Sequence, residues 1–223
     1  MKKIFITATD TEAGKTFMTE AIMKELTDRR YQVLGFKPVA AGCEETADGL
    51  RNADALALQA RCSKTLDYQQ INPVAFKEPV APHLAAKKAA QQIDLTQLNQ
   101  AFDVLQQYQP DFILTEGAGG WRLPLSDTLF LSDLAIQQQM SVVLVVPVRL
   151  GCLNHARLTA EAIAHDGLII SGWIANIPDS NMAYLQDNLE ALQTLIDAPL
   201  IGKVPQVNNA DMAAPYLDVT PLL

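Results

Sequence analysis

The segment from residue 3 to residue 16, Lys3-Ile-Phe-Ile-Thr-Ala8-Thr-Asp-Thr-Glu-Ala-Gly14-Lys15-Thr16, decides the fold. Its first six residues favour a short β-strand, and an α-helical pattern follows from about Lys15 to Arg30. In a strand–loop–helix segment, the loop N–H groups and the helix N-terminus bind phosphate. Lys15 is placed to reach the β- and γ-phosphates of a nucleotide, and the Thr16 hydroxyl to ligate Mg²⁺. The segment therefore predicts a phosphate-binding loop, although Thr9 stands where a strict GxxxxGKT pattern requires glycine.

The rest of the chain alternates between strand-like and helix-like segments. Further strands are predicted at 32–37, 111–115, 142–148, 168–175 and 199–204. Further helices are predicted at 131–139, 153–165 and 182–196. One more helix is predicted because Leu95, Leu98, Phe102 and Leu105 fall on one helical face, and Pro110 ends it. Continuously apolar strands separated by helices indicate a mainly parallel sheet with helices on both faces. No repeat or linker divides the chain, so we predict one α/β domain over residues 1–223. The proline-containing segment Leu66–Lys88 is expected to be an ordered excursion over one end of the sheet.

Composition excludes several classes of protein. Of 223 residues, 49% are hydrophobic and 19% charged, which argues against disorder, and the net charge of −8 argues against general nucleic-acid binding. The longest apolar run is strand-sized, and charged residues follow the N-terminal apolar run too soon for a signal peptide. Three cysteines without a CxxC pair indicate reduced thiols. We therefore expect a cytoplasmic protein with no membrane partner.

Charged side chains follow two of the predicted strands. Glu116 comes directly after a buried strand and before Gly117-Ala-Gly-Gly120, at the edge where open α/β sheets bind ligands, with a solvated turn carboxylate as the alternative. Glycines there allow a ligand to approach the backbone closely. Lys37 ends the second strand at the same edge, although an ordinary surface lysine remains the alternative. A magnesium site should contain carboxylates, and Glu116 is the stronger candidate ligand. Asp54, within a helical pattern, is the weaker candidate, because a mid-helix aspartate is usually solvated.

A polar loop follows the valine-rich strand as Arg149-Leu-Gly-Cys-Leu-Asn-His-Ala156 and opens a helix. Gly151 and Asn154 suit either a tight loop with a helix cap or a polar pocket for a small substrate. Cys152 is not favoured as a nucleophile, because nothing indicates a triad with His155 and phosphoryl transfer from ATP needs none.

Taken together, these segments resemble the dethiobiotin synthetases, ATP-dependent enzymes of biotin biosynthesis in the P-loop NTPase superfamily. The matching stretches are Thr9-Asp-Thr-Glu-Ala-Gly-Lys-Thr16, Lys37-Pro-Val-Ala, Gly49-Leu-Arg-Asn-Ala-Asp-Ala-Leu-Ala-Leu58, Glu116-Gly-Ala-Gly-Gly-Trp121, Leu150-Gly-Cys-Leu-Asn-His-Ala-Arg-Leu-Thr159 and Gly172-Trp-Ile-Ala-Asn176. They follow the family order from residue 4 to about 205. The family's loop has five residues between its glycines, so the first glycine falls at Ala8. Ala41, Pro147 and Arg149 also depart from the family pattern, which bears on affinity rather than on the reaction class.

The resemblance implies a reaction between 7,8-diaminopelargonic acid, CO₂ and Mg-ATP. One substrate amine forms a carbamate with CO₂, and the carbamate oxygen attacks the γ-phosphoryl group to give a carbamic–phosphoric anhydride. The second amine then closes the cyclic urea of dethiobiotin and expels phosphate. ATP is thus a co-substrate and Mg²⁺ the expected cofactor.

The resemblance also implies roles for individual residues. Lys37, Lys15 and Thr11 are expected to be catalytic; Thr11, Glu12, Ala13, Gly14, Lys15, Thr16, Asn176 and Pro205 to bind the nucleotide; Thr16, Asp54 and Glu116 to bind Mg²⁺; and Thr11, Lys37, Ala41, Gly151, Cys152 and Asn154 to bind the substrate. Asn176 corresponds to an adenine-binding asparagine. The loop from Gly151 to Asn154 is expected to reach the substrate across a homodimer interface.

Three other functions use related sequence features. A partition-type ATPase would carry an extra lysine near the start of the loop, and residues 9–13 contain none. An ATP-dependent amidotransferase would need a long glutaminase domain, for which no room is expected after residue 205. A catalytically weakened paralogue kept as an interaction protein is supported only by Ala8 and Ala41.

Overall fold

The main sheet of the computed structural model, which describes residues 1–223, has six strands that all run parallel. The strands of the protein are β1 (Lys2–Ala8), β2 (Val33–Phe36), β3 (Val39–Ala40), β4 (Glu44–Thr46), β5 (Gly49–Arg51), β6 (Val74–Ala75), β7 (Phe112–Glu116), β8 (Ser141–Pro147), β9 (Ile170–Ile177) and β10 (Leu200–Pro205). The main sheet has the order β10-β9-β8-β1-β7-β2. The strand that precedes the phosphate loop therefore lies near the middle, between β8 and β7.

Helices connect these strands and cover the sheet. They are α1 (Lys15–Asp28), α2 (Ala53–Arg61), α3 (Tyr68–Ile71), α4 (Pro82–Lys88), α5 (Leu95–Gln106), α6 (Ser132–Gln137), α7 (Cys152–His165), α8 (Leu185–Leu195) and α9 (Ala210–Ala213), followed by 3₁₀ turns at Ala214–Tyr216 and Thr220–Leu222. The longest helices have 14 residues, and none is long and apolar enough to cross a bilayer.

The sheet is covered on both faces, as its apolar strands predict. Along β8, Val143 and Val145 belong to the larger core cluster, whereas Leu144 and Val146 belong to a smaller cluster with Trp173. Because successive strand side chains point to opposite faces, the two clusters lie on opposite sides of the sheet. The predicted α/β class, a mainly parallel sheet with helices on both faces, is confirmed.

Element boundaries differ from the sequence predictions at several places. The strand predicted at 168–175 forms at Ile170–Ile177, and the helices predicted at 131–139 and 182–196 are shorter, at Ser132–Gln137 and Leu185–Leu195. The hairpin β4–β5 was not predicted, because its three-residue strands are mostly exposed and carry no hydrophobic alternation. The excursion Leu66–Lys88 contains α3, β6 and α4. Strand β6 pairs with β3, which begins two residues after Lys37.

Candidate nucleotide and substrate site

The phosphate loop joins the end of β1 to the start of α1. Glu12 has a φ of 55° and Gly14 a φ of 87°, so two loop residues adopt the left-handed region. The Asn176 side-chain amide donates to the Ala13 carbonyl at 2.9 Å. A Cβ atom at residue 14 would lie 2.6 Å from Asn176 Nδ2. Glycine is therefore required at position 14 both by the backbone and by the neighbouring strand β9.

Ala8, which stands at the family's first glycine position, is buried in strand β1. Its φ is not positive, in contrast to the φ of Glu12 and Gly14. The backbone at position 8 is therefore one that alanine adopts without strain, so the departure from the family's glycine has no conformational cost there.

Lys15 is almost fully buried at the N-terminus of α1. Its Nζ atom donates to the Asp10 carbonyl oxygen at 3.2 Å, and burial, together with the charge of Lys37, lowers the pKa of Lys15 to about 8. An anionic ligand would stabilise the charged form of a lysine so desolvated, because phosphate oxygens would supply the negative charge that the protein provides only weakly here.

Lys37 lies directly after β2 and is buried between two carboxylates. Its Nζ atom donates to Glu116 Oε1 at 2.6 Å, to Asp54 Oδ2 at 3.0 Å and to the Gly117 carbonyl at 3.3 Å. Burial opposes the charged ammonium, but Glu116 and Asp54 outweigh burial and raise the pKa of Lys37. The surface-lysine alternative is wrong for Lys37, whose charge belongs to a compact ionic cluster.

The same carboxylates offer a set of oxygen ligands for a divalent cation. Thr16 Oγ1 donates to Glu116 Oε1 at 2.8 Å, and the second oxygen of Glu116, Oε2, is buried without a hydrogen-bond partner. Asp54 lies in the first turn of α2, not in mid-helix. Burial opposes its charge, but Lys37 outweighs that effect and lowers the pKa of Asp54. Two carboxylates and a hydroxyl are hard oxygen donors, so these residues fit Mg²⁺.

Two adjoining cavities meet at Lys37. One, of about 460 Å³, is lined by Thr11, Glu12, Ala13, Gly14, Lys15, Thr16, Phe17, Lys37, Asp54, Glu116, Ala118 and Gly119. The other, of about 450 Å³, shares Thr11, Lys37, Asp54, Ala118 and Gly119 and adds Ala40, Ala41, Asn52, Pro79, Val80, Ala81, Pro82 and Leu123. The first cavity is bordered by the phosphate loop, and the second is mostly apolar apart from its shared wall. The predicted residues Thr11, Lys37 and Ala41 are thus brought together.

A smaller groove continues from the phosphate loop toward the ends of β9 and β10. It has a volume of about 200 Å³ and is lined by Gly14, Phe17, Asn176, Pro178, Pro205, Gln206 and Val207. The predicted nucleotide residues Asn176 and Pro205 therefore share one surface with Gly14. Sequence reasoning missed the wall Pro79–Pro82, because nothing in a proline-containing loop indicates which part of the sheet edge it covers.

The loop Arg149–Asn154 does not line either cavity. Gly151 caps α7 with a φ of 92°, Cys152 is buried in the smaller core cluster, and Asn154 lies in the first turn of α7 without acting as its cap. The predicted substrate residues Gly151, Cys152 and Asn154 are therefore not joined to Lys37 within one chain. Leu150, at the tip, is 95% exposed.

Arg149 and the phosphate loop are in direct contact. Its guanidinium pairs with the Asp10 carboxylate, whose other oxygen accepts a hydrogen bond from the Thr11 backbone N–H. Arginine at position 149, a departure from the family pattern, thus joins the loop Arg149–Asn154 to the first half of the phosphate loop.

A phosphate loop at the carboxyl edge of a parallel sheet, with a buried lysine and two carboxylates beside it, defines a P-loop nucleotide-binding protein. A family model described as an AAA domain matches residues 2–214. The ATP-dependent dethiobiotin synthetase BioD of Pseudomonas paraeruginosa is 47% identical over 224 residues, covering 100% of this chain and 98% of that protein. Its namesake from Aeromonas salmonicida is 43% identical over 226 residues and covers 100% of both chains. The chain belongs to the ATP-dependent dethiobiotin synthetase family.

Solved structures confirm the fold class. The MinD cell division protein of Aquifex aeolicus aligns with a TM-score of 0.56 at 15% identity, over 98% of this chain and 88% of that one. A ParA family ATPase from Chlorobium tepidum aligns with a TM-score of 0.56 at 11% identity, over 99% and 94%. At these identities the likeness is one of fold, so it does not support the partition-type ATPase alternative.

Proposed function

We propose that this chain converts 7,8-diaminopelargonic acid, CO₂ and ATP into dethiobiotin, ADP and phosphate. The observation that carries the proposal is the position of Lys37. Its ammonium lies where the cavity of the phosphate loop meets the second, mostly apolar cavity. A group transferred from a nucleotide to a substrate with an apolar chain would have to pass through this junction.

The nucleotide would occupy the cavity of the phosphate loop and the groove beyond it. Successive N–H groups and Lys15 would bind its phosphates, and the burial of Lys15 strengthens that interaction because little water competes for the ammonium. Asn176, fixed at the end of β9 by its bond to Ala13, and Pro205 border the groove in which the base would lie.

The substrate would occupy the second cavity, with its amines toward Thr11 and Lys37. Its carbon chain fits the walls that Ala41 and Pro79–Pro82 provide. When one amine attacks CO₂ and loses a proton, the carbamate carries a negative charge that Lys37 is placed to neutralise. Carbamate oxygen then bonds to the γ-phosphorus and ADP departs. Attack of the second amine on the carbamate carbon, with loss of one amine proton to solvent, releases phosphate and closes the ring.

Stabilisation of charge is the main task of this site, since both the nucleophile and the phosphoryl group are anionic. Thr16, Asp54 and Glu116 would hold Mg²⁺, which when bound supplies positive charge to the phosphate oxygens. The unpartnered oxygen of Glu116 supports this assignment, because a buried carboxylate oxygen without a donor is otherwise costly.

A homodimer would complete the substrate site. Gly151 and Asn154 do not reach the cavity of their own chain, while Leu150 beside them is exposed next to an apolar groove that contains Val148, Met182 and Tyr184. A second copy that received this loop would bring it toward the partner's cavity. We also place the reaction in the cytoplasm, where ATP is supplied, and treat residues 1–223 as one domain.

The decisive experiment supplies purified protein with diaminopelargonic acid, bicarbonate and Mg-ATP and follows phosphate release and dethiobiotin. Substrate-dependent phosphate release, matched mole for mole by dethiobiotin, is expected. ATP hydrolysis that is independent of the diamine would instead indicate a nucleotide-dependent switch, and no turnover by folded protein would indicate the weakened paralogue.

A further inference from the structure

The segment Gly117–Gly120 forms part of both cavities, yet its own backbone is weakly held. The Gly117 backbone N–H donates to Ile6 O at 2.9 Å, and no backbone N–H from Ala118 to Arg122 donates to an acceptor within the chain. Three of its four residues are glycines. Such a segment needs an anchor at its far end if its position is to be fixed.

That anchor is the carboxylate of Asp166, 45 residues further along the chain from Trp121. Trp121 Nε1 donates to Asp166 Oδ2 at 2.7 Å, and Arg122 donates to Asp166 Oδ1 at 2.6 Å. Both oxygens of the carboxylate are thereby used, and its side chain is only 8% exposed. The Trp121 ring is itself buried and packs edge-on against Phe5 with centroids 5.7 Å apart.

Asp166 stands where a helix ordinarily disfavours a carboxylate. It follows the last residue of α7, at the negative end of the helix dipole. The pairing with Arg122 and the Trp121 indole offsets that repulsion. An acidic residue at this position therefore serves the contact with residues 121 and 122 rather than the helix.

We propose that Asp166 is a positioning residue: by holding Trp121 and Arg122 it fixes the Gly117–Gly120 backbone against Lys37 and Thr11. The Gly117 carbonyl accepts from Lys37 Nζ at 3.3 Å, and a Cβ at Gly119 would lie 3.8 Å from Thr11 Oγ1. A shift of this backbone would therefore move the walls of the junction between the cavities. The inference rests on the proposed function of that junction.

Three variants separate the contacts of Asp166. Asp166→Asn keeps an oxygen for Trp121 but removes the charge that binds Arg122, whereas Asp166→Ala removes both contacts. Trp121→Phe removes only the indole donor. We expect Asp166→Asn to lower kcat about tenfold and Asp166→Ala more, with KM raised more for the diamine than for ATP, whose phosphates the intact phosphate loop still binds. Trp121→Phe in the Asp166→Ala background should add less than it does alone, because its partner is already absent. Glu161→Gln is the matched control, since it breaks an exposed ion pair with Arg157 on the same helix.

Indole ¹⁵N–¹H spectra give a readout that a general loss of stability does not move. The chain has two tryptophans, and the Nε1 of Trp173 is buried without a partner. Asp166→Asn and Asp166→Ala should shift the Trp121 signal and leave that of Trp173 in place.

Shifted Trp121 signals with wild-type kcat and diamine KM would overturn the positioning role. A loss of ATP affinity as large as the loss of kcat/KM for the diamine, together with a lower thermal midpoint, would overturn it too, because the two changes together indicate general destabilisation. Wild-type protein that makes no dethiobiotin would contradict the proposed function instead, so the two failures are distinguishable.

Discussion

The ionic cluster around Lys37 and the loop Arg149–Asn154 both follow strands at the carboxyl edge of the sheet, but only the first is complete within one chain. Lys37 pairs with both Glu116 and Asp54 over distances of 3.0 Å or less. The loop instead directs Cys152 into the core and leaves Leu150 in solvent. A position at the end of a strand therefore brings a residue to the functional edge without making it part of its own chain's site.

The difference separates two kinds of site residue. Groups that neutralise each other must be assembled by the fold itself, since an unpaired buried charge destabilises it. Groups proposed to act on a neighbouring subunit carry no such constraint, and Leu150 is accordingly exposed in the single chain. The following changes test this distinction, in order of decreasing expected effect.

Lys37→Ala should lower kcat/KM by about a thousandfold or more, because the positive charge beside two anionic reactants is lost. The variant should keep most of its ATP affinity, since the phosphate loop is intact. It should also unfold more readily, by about 3–5 kcal/mol, because Glu116 is left buried without its partner. Steady-state kinetics, ATP titration and urea unfolding measure the three effects, with Lys88→Ala on the surface as control. Loss of ATP affinity equal to the loss of activity would make Lys37 a nucleotide ligand instead.

Leu150→Asp should weaken self-association and, with it, product formation, by about tenfold or more if the loop is received by a second copy. Sedimentation velocity at several concentrations gives the association state, and the dethiobiotin assay gives the activity. Ile169→Asp, also on an exposed apolar side chain, is the control. A fully active Leu150→Asp monomer would show that the loop does not work across an interface.

Lys15 should titrate with a midpoint of about 8 in the protein without nucleotide, below its ordinary 10.5. The folded protein loses this proton at a lower pH than the unfolded protein does. Burial of the charged lysine therefore lowers the free energy of unfolding fully below pH 8, and this effect fades as the pH rises toward 10.5. ATP should raise the midpoint, since phosphate favours the ammonium. NMR of the labelled Lys15 side chain follows the titration, and Lys15→Met should lack the corresponding rise in stability with pH. An apo midpoint near 10.5 would contradict the proposed desolvation.

Ala8→Gly should have the smallest effect. Since Ala8 lies in a strand with an ordinary φ, glycine offers no relief and should destabilise the fold by about 0.5–1 kcal/mol, with ATP affinity unchanged. Urea unfolding and ATP titration measure both quantities, with Ala90→Gly at a residue of positive φ as the opposite control. Tighter ATP binding by Ala8→Gly would indicate that the family glycine matters for the loop.

The sequence predicts the residues whose place depends on chain direction and sheet order. Glu116 and Lys37 follow apolar runs, and parallel strands bring their carboxyl ends to one edge, so their meeting was foreseeable. The pairing of Lys37 with both carboxylates could not be predicted from the sequence, because the position of Asp54 depends on where α2 begins. Asn52 caps that helix and sets Asp54 in its first turn.

The contacts between distant loops lay beyond the sequence. Nothing in the chain near Asp166 indicates that it accepts bonds from Trp121 and Arg122, and the covering of the second cavity by Pro79–Pro82 depends on the pairing of β3 with β6. Such contacts are set by tertiary packing, whereas hydrophobic periodicity reports only local structure.

The left-handed backbone of Glu12 gives the phosphate loop a rarely populated shape. A non-glycine residue there costs about 1 kcal/mol or more, and the bond from Asn176 to the carbonyl of buried Ala13 helps to hold the loop in this shape. A loop whose shape is fixed by the chain's own contacts loses little conformational entropy when ATP binds. The affinity for ATP therefore depends partly on how firmly the fold holds the loop. Substitutions in the core, remote from the loop, should weaken ATP binding before they unfold the protein.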